Sequence, residues 1–353
     1  MVTFGRRHPA EEDRKEEDAT FRRTPRRARL AVIASCLLCL AATGCSSSTP
    51  SVVAPDGPKS QFVSNAWWIL CGVASFVCIV VIALAVGALV FRRRPKKVDS
   101  EGGQRPVVVF GLVIPAVIFA ATFALSVTGI AVNAQPPTPK RVTVHVIGHQ
   151  WWWGVKYPRA GVTTANEIHV PTGEPVRLEL TTDDVIHSFW VPQITPKMDL
   201  IPNRPNTTWF SVDKSGVYHG QCAEYCGVEH AHMAFAVIAQ PRPQFEKWLD
   251  DHAQTARLPT TAQERRGMSV FETGTCATCH TIRGTTAHGH VGPDLTHVAT
   301  RRKLAAGTIP NDFGHMEGWV ADSQSIKPGN KMPPQNLSPD DLRAVVTYLQ
   351  SLE

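Results

Sequence analysis

Three uninterrupted apolar runs dominate the first part of the chain, at residues 30–40, 67–91 and 107–132. The second and third are about 25 residues long, and a helix needs about 20 residues to cross a hydrocarbon core of about 30 Å. Each is therefore predicted to be a transmembrane helix, with Trp67 and Trp68 as aromatic anchors and Pro115 tolerated within the second span. The alternative, a pair of buried soluble helices, is disfavoured by their length and flanks.

Positive charge sets the predicted orientation of this helical hairpin, which occupies residues 67–132. The segment 92–97, RRRPKK, follows the first span directly. Such flanks stay in the cytoplasm, so everything after Asn133 is predicted to lie outside it.

The first apolar run has the layout of a signal peptide. It follows an Arg-rich segment and ends LAATGC at Cys45, which looks like a bacterial lipoprotein cleavage box with Ala42 in place of the usual Leu. Residues 1–45 are predicted to be a leader and 46–66 a Ser/Pro linker. Lipidation of Cys45 and retention of an uncleaved signal anchor both remain open.

After a Pro-rich segment at 136–139, the pattern changes to that of strands. Apolar and polar side chains alternate at 141–147 and 176–180, and 234–239 is predicted to be a closing strand. Short strands with Pro and Gly turns over about 100 residues predict a β-sandwich at 140–240. A linker at 241–260, helical around 245–249, leads to a third unit at 261–353.

Two helices bound this third unit. Thr261 and Glu264 form a capping box at the start of the first helix, and Ser338 followed by Pro339 caps the last. The last helix has one apolar face, formed by Leu342, Val345, Val346 and Leu349. It is predicted to cross the helix that carries Gly267 and Phe271.

Composition limits the classes of function. At 353 residues and a mean hydropathy of −0.10, the chain is too long and too uneven for one domain. Its formal net charge of +6 arises at membrane-flanking positions in the first hundred residues and does not indicate nucleic-acid binding. The nine cysteines lie in apolar runs or in motifs with a chemical role, so no structural disulfide is predicted.

The loop GQCAEYCGVEHAHM at 220–233 concentrates soft ligands, which select copper or zinc. Within twelve residues it contains Cys222, Cys226, His230 and Met233. The cysteine pair alone would suit a structural zinc site, but a thioether is a poor ligand for zinc and a good one for copper. Gly220 and Gly227 are predicted to let the loop bend, and His187 is placed to supply a further donor from an earlier loop.

The pattern CxExCGxxHxxM, preceded by HSFWVP at 187–192, resembles subunit II of bacterial haem-copper cytochrome c oxidases, whose binuclear copper centre is called CuA. The resemblance implies a cupredoxin fold for the sandwich and a position outside the cytoplasm, on a bacterial multi-pass membrane protein. The implied ligands are the bridging Cys222 and Cys226, the terminal His187 and His230, and the weak outer ligands Met233 and the Glu224 carbonyl.

Aromatic residues beside this motif carry the resemblance further. The segment GHQWWW at 148–153 is similar to an aromatic stretch of the family. The resemblance implies that electrons enter through Trp151. Core packing is the alternative for the three adjacent tryptophans, and it applies in particular to Trp152, which alternates to the other face.

Two features are implied at the boundary with the catalytic subunit. The segment KMDLIPNR at 197–204 is similar to one that faces this subunit in the family, although Asn203 replaces the usual Gly. Asp199 and Arg204 are contact residues in that interpretation, and a plain turn is the alternative. The carboxylate of Glu224 is implied to hold a magnesium ion.

The sequence CATCH at 276–280 is the attachment signature of a c-type haem. Cys276 and Cys279 would bind the haem vinyl groups and His280 the iron. A redox CxxC needs no histidine, and a zinc site would need a second cysteine pair. The GPDL loop at 292–295 matches one whose proline carbonyl orients this histidine. The whole unit is thus predicted to be an all-α class I cytochrome c domain.

The sixth iron ligand is predicted to be Met332, because the surrounding segment KPGNKMPP at 327–334 is similar to that of small bacterial cytochromes c. A methionine ligand raises the iron potential. Met316 is an alternative methionine. The bis-histidine alternatives, which would lower the potential, are His288, His290 and His297.

These patterns together predict the electron-transfer subunit of a cytochrome c oxidase, carrying two copper ions, one covalent haem c and a magnesium ion at the subunit boundary. Electrons would pass from an external donor, a cytochrome complex or small redox protein, to haem c, CuA and the catalytic subunit I. That subunit, assembled with others in the membrane, would reduce oxygen to water and pump protons.

Other classes share part of the pattern. A CuA-containing nitric oxide reductase is built on a similar subunit and differs in its partner. Nitrous oxide reductase fits poorly with the membrane hairpin and the haem unit, and quinol oxidase subunits lack the thiols. A membrane-tethered copper carrier or redox sensor would bind one copper and no haem.

Mass spectrometry of the mature N-terminus tests the leader prediction. A lipidated protein would begin at Cys45 with the added mass of its acyl chains. Detection of an intact Met1 would exclude both cleavage and lipidation.

Overall fold

The computed structural model describes residues 50–90, 100–134 and 142–353. The predicted leader with Cys45, the basic segment 92–97 and the Pro-rich segment 136–139 lie outside the described residues.

Two long apolar helical segments precede the folded domains. The first is α1 Pro58–Val90, and the second is a continuous run of α2 Ser100–Val108, a π-helical turn Val109–Val113 and α3 Ile114–Asn133. Both are long and apolar enough to cross a membrane. Their large apolar side chains are mostly exposed, as expected of surfaces that face lipid.

Helix α1 begins nine residues before the predicted start of the span, because its first turn packs on the sandwich. The Asp56 N–H and the Ser60 hydroxyl both donate hydrogen bonds to the Gln193 carbonyl, at 2.8 and 2.6 Å. At the end of α3, the Trp209 indole donates to the Asn133 carbonyl at 3.0 Å. The two apolar helical segments are thus attached directly to the next domain.

The second domain is a sandwich of two five-stranded sheets, with strand orders β3-β2-β1-β5-β8 and β4-β10-β9-β6-β7. The predicted strands at 141–147, 176–180 and 234–239 are confirmed in β1, β5 and β10. The ten strands are β1 Val142–His149, β2 Trp152–Tyr157, β3 Val162–Ala165, β4 Glu167–Pro171, β5 Val176–Thr182, β6 His187–Val191, β7 Thr195–Leu200, β8 Asn206–Phe210, β9 Gly216–Cys222 and β10 Ala234–Gln240.

An aromatic cluster fills the sandwich next to the cysteine-containing loop. The Trp153 ring lies 5.0 Å from that of Phe235, which stacks on Phe189 at 4.6 Å. A Cβ atom at Gly220 would come within 2.3 Å of the Phe235 ring. Gly220 therefore makes room for this ring inside β9, and the expectation that it lets the loop bend was wrong.

The connector to the third domain is more ordered than predicted. Helix α4, Arg242–Ala253, replaces the short helical piece expected around 245–249. Its Trp248 stacks on His169 of β4 with a centroid distance of 3.9 Å, and Phe245 is buried against the sandwich. The helix is therefore held on the sandwich by its aromatic side chains.

The C-terminal domain is helical, apart from a short hairpin. Its elements are α5 Ala262–Thr273, α6 Cys276–Cys279, β11 Lys303–Leu304, β12 Ile309–Pro310, α7 Phe313–Ala321, α8 Ser323–Ile326 and α9 Pro339–Leu349. The capping box of Thr261 and Glu264 and the cap of α9 by Ser338 are both confirmed. The architecture is the predicted series of two long apolar helices, a β-sandwich and a helical C-terminal domain.

Helices α5 and α9 cross at Gly267, as predicted. A Cβ atom at this position would lie 2.0 Å from the Ala344 carbonyl oxygen, so only glycine lets the two backbones approach this closely. Phe271 packs beside this crossing, with its ring 6.4 Å from that of Tyr348.

We expect Gly267→Ala to destabilise the α5–α9 pair by about 1–3 kcal/mol, because the added methyl group must displace backbone. Gly318→Ala in α7 is the control, since its nearest neighbour would be Ile326 Cδ1 at 4.0 Å and alanine favours helix over glycine. Hydrogen exchange of α5 and α9 amides in the full chain measures both effects. Equal protection in the two variants would contradict the packing argument.

Candidate metal centres

The loop between β9 and β10 brings sulfur and nitrogen ligands together at one end of the sandwich. A hydrogen bond of 2.9 Å from Cys222 N–H to the Met233 carbonyl closes the loop, and one of 3.0 Å from Ala223 N–H to the Ser188 carbonyl ties it to β6. Since His187 begins β6, this second bond places its imidazole beside the loop.

The ligand atoms form a chain of close contacts. The Cys222 and Cys226 sulfurs are 3.8 Å apart; His187 Nδ1 lies 3.8 Å from the first and His230 Nδ1 3.6 Å from the second. The Met233 sulfur is 3.8 Å from the Cys226 sulfur, and the Glu224 carbonyl oxygen is 3.2 Å from the Cys222 sulfur. The structure thus brings all six predicted copper ligands together, with one histidine beside each sulfur.

This donor set fits soft metal ions. Hydrogen bonding between the two thiols lowers the pKa of Cys222 and raises that of Cys226, because the sulfurs share a proton when no metal is bound. Paired thiols with two imidazoles and a thioether favour copper. Among the described residues, His187, Cys222 and Cys226 have ligand atoms within 4.8 Å of one another.

The orientation of His187 depends on a residue that sequence reasoning did not identify. Asp184 Oδ1 lies 2.8 Å from His187 Nε2, so the ring turns Nδ1 towards Cys222. Burial opposes ionisation of Asp184, but hydrogen bonds from His187 and from the Gln150 and Val185 amides hold its pKa well below the usual range. A carboxylate behind a ligating histidine is a common way to orient it, and its position three residues before His187 was the available signal.

Trp151 packs directly against the loop. Its indole N–H donates to the Cys226 carbonyl at 3.0 Å, and the Gln150 amide donates to the same oxygen at 2.8 Å. Gly227 adopts φ +120°, and a Cβ atom there would come within 2.8 Å of the Trp151 ring. Gly227 is therefore both the bend that was predicted and the space for this indole.

Core packing, the alternative considered for the adjacent tryptophans, applies to Trp153 and not to Trp152. Trp152 is half-buried and stacks on His149 at 4.1 Å, so it is not the core residue. Trp153 fills the core, and its indole N–H donates to the Met233 carbonyl at 3.4 Å.

The segment at 197–204 comprises the end of β7 and a tight turn at 201–204, closed by a hydrogen bond of 3.1 Å from Arg204 N–H to the Ile201 carbonyl. Asn203 adopts φ 59°, a left-handed conformation that asparagine tolerates better than most side chains, which explains how it replaces glycine. Asp199 is half-buried and Arg204 exposed. The Glu224 carboxylate lies on the same side, 3.7 Å from the Lys197 ammonium. Contact with another subunit and a magnesium ion at Glu224 stay predictions.

A second site lies in the C-terminal domain, around a cavity of about 400 Å³. Its wall includes all the residues predicted to bind haem, namely Cys276, Cys279, His280 and Met332. His280 Nδ1 lies 2.8 Å from the Pro293 carbonyl oxygen, as predicted. Burial lowers the pKa of His280, which keeps the imidazole neutral, the form that binds metal.

The alternative iron ligands have other contacts. Met316 also lines the cavity, but its sulfur accepts a hydrogen bond from Gln350 at 3.5 Å. His288 and His290 are exposed, whereas the ring nitrogens of His297 lie 2.7 and 3.1 Å from the carbonyl oxygens of Glu353 and Gln254. Met332 is half-buried, and its carbonyl accepts from Ser323 and Gln324.

The cavity also contains a polar group that suits a haem. Arg301 is buried and lines the cavity, and its Nε has no internal hydrogen-bond partner. A buried donor without a partner is unfavourable, and a haem carboxylate would satisfy it. Both the apolar wall and this donor therefore fit a haem.

Two known protein families match the two domains that contain these sites. Residues 159–240 match the family described as cytochrome c oxidase subunit II, periplasmic domain, and residues 264–353 match the cytochrome c family.

Cytochrome c oxidase subunit 2 of Alkalihalophilus pseudofirmus is 34% identical over 90% of this chain and 95% of its own length. That of Bacillus sp. strain PS3 is 32% identical over 74% and 80% of the respective chains. The solved periplasmic domain of subunit II of cytochrome oxidase from Bradyrhizobium japonicum is 32% identical and covers 33% of this chain and 95% of its own, with a TM-score of 0.32.

We expect Asp184→Ala to weaken copper binding by about 10–100-fold, because His187 loses the partner that orients it. The matched control is Asp183→Ala, since the neighbouring carboxylate is 67% exposed and lies 3.6 Å from His149. Copper retained during dialysis against a graded chelator measures the change. Equal retention in the two variants would show that Asp184 does not support the site.

Proposed function

Since the chain belongs to the cytochrome c oxidase subunit II family, we propose that it passes single electrons from a covalent haem c through Trp151 to a two-copper CuA centre. The observation that carries this proposal is the position of Trp151. Trp151 lines the haem cavity, and its indole N–H also donates a hydrogen bond to the Cys226 carbonyl.

Cys222, Cys226, His187 and His230 would hold the two coppers, and Met233 and the Glu224 carbonyl would be weaker ligands. When bound, such a centre accepts and releases one electron at a time. The chain's own contribution is to hold these donors in advance and to bury the two cysteines, which limits both movement of the ligands and access of water.

In the C-terminal domain, Cys276 and Cys279 are proposed to anchor the haem and His280 and Met332 to bind its iron. Support comes from their common cavity and from the Pro293 carbonyl behind His280. Arg301 is proposed to hold a haem carboxylate. The surrounding apolar side chains exclude water, which with a methionine ligand favours a high iron potential.

The chain functions within a haem-copper oxidase complex and is anchored by its apolar helices. We propose that both helices span a bacterial membrane, with the sandwich and haem domain outside the cytoplasm. Subunit I would receive the electrons and reduce oxygen, and Glu224 would hold a magnesium ion at its boundary. The external donor would be a cytochrome complex or a small redox protein.

Purification of the complex from membranes tests the proposal. We expect two coppers for each covalent haem c, and turnover with oxygen. Zinc, a single copper or the absence of a thioether-linked haem would contradict it, and turnover with nitric oxide alone would assign the complex to a different reductase.

The sixth iron ligand is tested by a matched pair of methionine variants. Met332→Ala should lose the low-spin methionine-ligated spectrum and lower the iron potential. Met316→Ala should keep both, because Met316 already contacts Gln350. Visible absorption and redox titration of the purified complex distinguish the two, and the reverse pattern would assign the iron to Met316.

A further inference from the structure

Lys327 is a buried cation at the boundary between the haem domain and the sandwich. It belongs to the segment after α8 in the haem domain, and only 2% of its surface is exposed. A buried ammonium is strongly unfavourable unless all of its donors are satisfied. The hydrogen-bond acceptors around the Lys327 ammonium therefore determine whether the buried charge is stable.

Three backbone carbonyls accept from this ammonium. Two belong to the sandwich, Trp151 and His232, each at 2.7 Å, and the third belongs to Ala305 in the haem domain at 3.3 Å. A lysine has three N–H donors, so the set is complete. Burial lowers the pKa of Lys327 to about 8, and the buried Glu229 carboxylate opposes this shift.

The contact with Trp151 connects the two proposed metal sites. The Trp151 carbonyl accepts a hydrogen bond from Lys327, and the Trp151 indole donates one to the Cys226 carbonyl. Trp151 and Lys327 both line the haem cavity. The Lys327 ammonium thus holds the backbone of Trp151, the residue whose indole contacts the loop between β9 and β10.

Two further hydrogen bonds join the same two domains. Ala234 N–H donates to the Ala306 carbonyl at 3.0 Å, and Arg302 N–H donates to the buried Glu167 carboxylate at 2.7 Å. Each of these amides is protected by a partner on the other domain. Separation of the domains would therefore expose both amides to solvent.

We propose that Lys327 is a positioning residue that docks the haem domain on the sandwich, so that electron transfer occurs from one preformed arrangement without a domain-docking step. This inference rests on the proposed transfer from haem c to CuA. One electron leaves the reduced haem iron and reduces the copper pair, and no bond or proton changes. The role of Lys327 is to set the geometry of that transfer.

The test uses the whole oxidase complex with Lys327→Met, which keeps the length of the side chain and removes its donors. The control is Arg343→Met, which removes one positive charge from an exposed position on α9 in the same domain. Hydrogen exchange is followed at the Ala234 and Arg302 amides, and light-triggered reduction of haem c starts the transfer to CuA at several viscosities.

In Lys327→Met we expect exchange at both amides to rise by at least about tenfold, because three carbonyls lose their charged donor. Transfer should slow and become dependent on viscosity, as expected when domain motion precedes it, with the methionine-ligated haem spectrum unchanged. Wild type and Arg343→Met should show protected amides and a rate that viscosity does not alter.

Wild-type exchange and an unaltered rate in Lys327→Met would overturn the proposal. So would slower transfer without faster exchange, because Lys327 would then act on driving force and not on docking. If wild type itself transfers no electron from haem to copper, the proposed function fails, and the exchange measurement still decides whether Lys327 docks the domains.

Discussion

The closure of the loop between β9 and β10 is the constraint on which the copper site depends. Antiparallel pairing of β9 with β10, extended by a hydrogen bond of 2.9 Å from Cys222 N–H to the Met233 carbonyl, brings the two ends of a twelve-residue segment together. The sulfur atoms of Cys222, Cys226 and Met233 then lie close together, with 3.8 Å from Cys226 to each of the other two. Because the sandwich holds both ends of the loop, the ligands have little freedom to move when the charge at the centre changes, which is the condition for fast electron transfer.

The same principle of holding groups in advance applies to the second coordination sphere. Asp184 orients His187, and the Pro293 carbonyl orients His280. Each oxygen accepts from one ring nitrogen, Nε2 of His187 or Nδ1 of His280. Each histidine therefore presents its other ring nitrogen to the proposed metal. The glycines next to these sites have a related purpose. A Cβ atom at Gly148 would come within 2.6 Å of the His187 ring, and one at Gly292 within 2.4 Å of the His280 ring.

The sandwich and the haem domain pack against each other, whereas two domains joined only by a flexible tether would move independently. Helix α4 packs on the sandwich through Trp248, and a backbone hydrogen bond from Ala234 N–H to the Ala306 carbonyl crosses between the sandwich and the haem domain. Trp151 is 9% exposed and borders the haem cavity. Haem c and CuA would therefore meet across a preformed interface, so an external donor needs to reach only the haem domain.

Local patterns sufficed for much of this protein. The apolar runs, the strand alternation, the helix caps and the two metal motifs each depend on residues that are close in sequence, so their physics is visible without a fold. Side-chain direction within a pattern was less predictable, as the different positions of Trp152 and Trp153 show, because it depends on which face of a strand meets the core.

The sequence by itself thus determined which elements form and which chemistry the ligands favour. Only the tertiary structure decided that Gly220 makes room for Phe235, that Asp184 supports His187, and that Lys327 donates to Trp151 from 176 positions along the chain. The physical reason is that packing and burial involve residues that meet only after folding, and a residue's type does not reveal which backbone carbonyls will surround it.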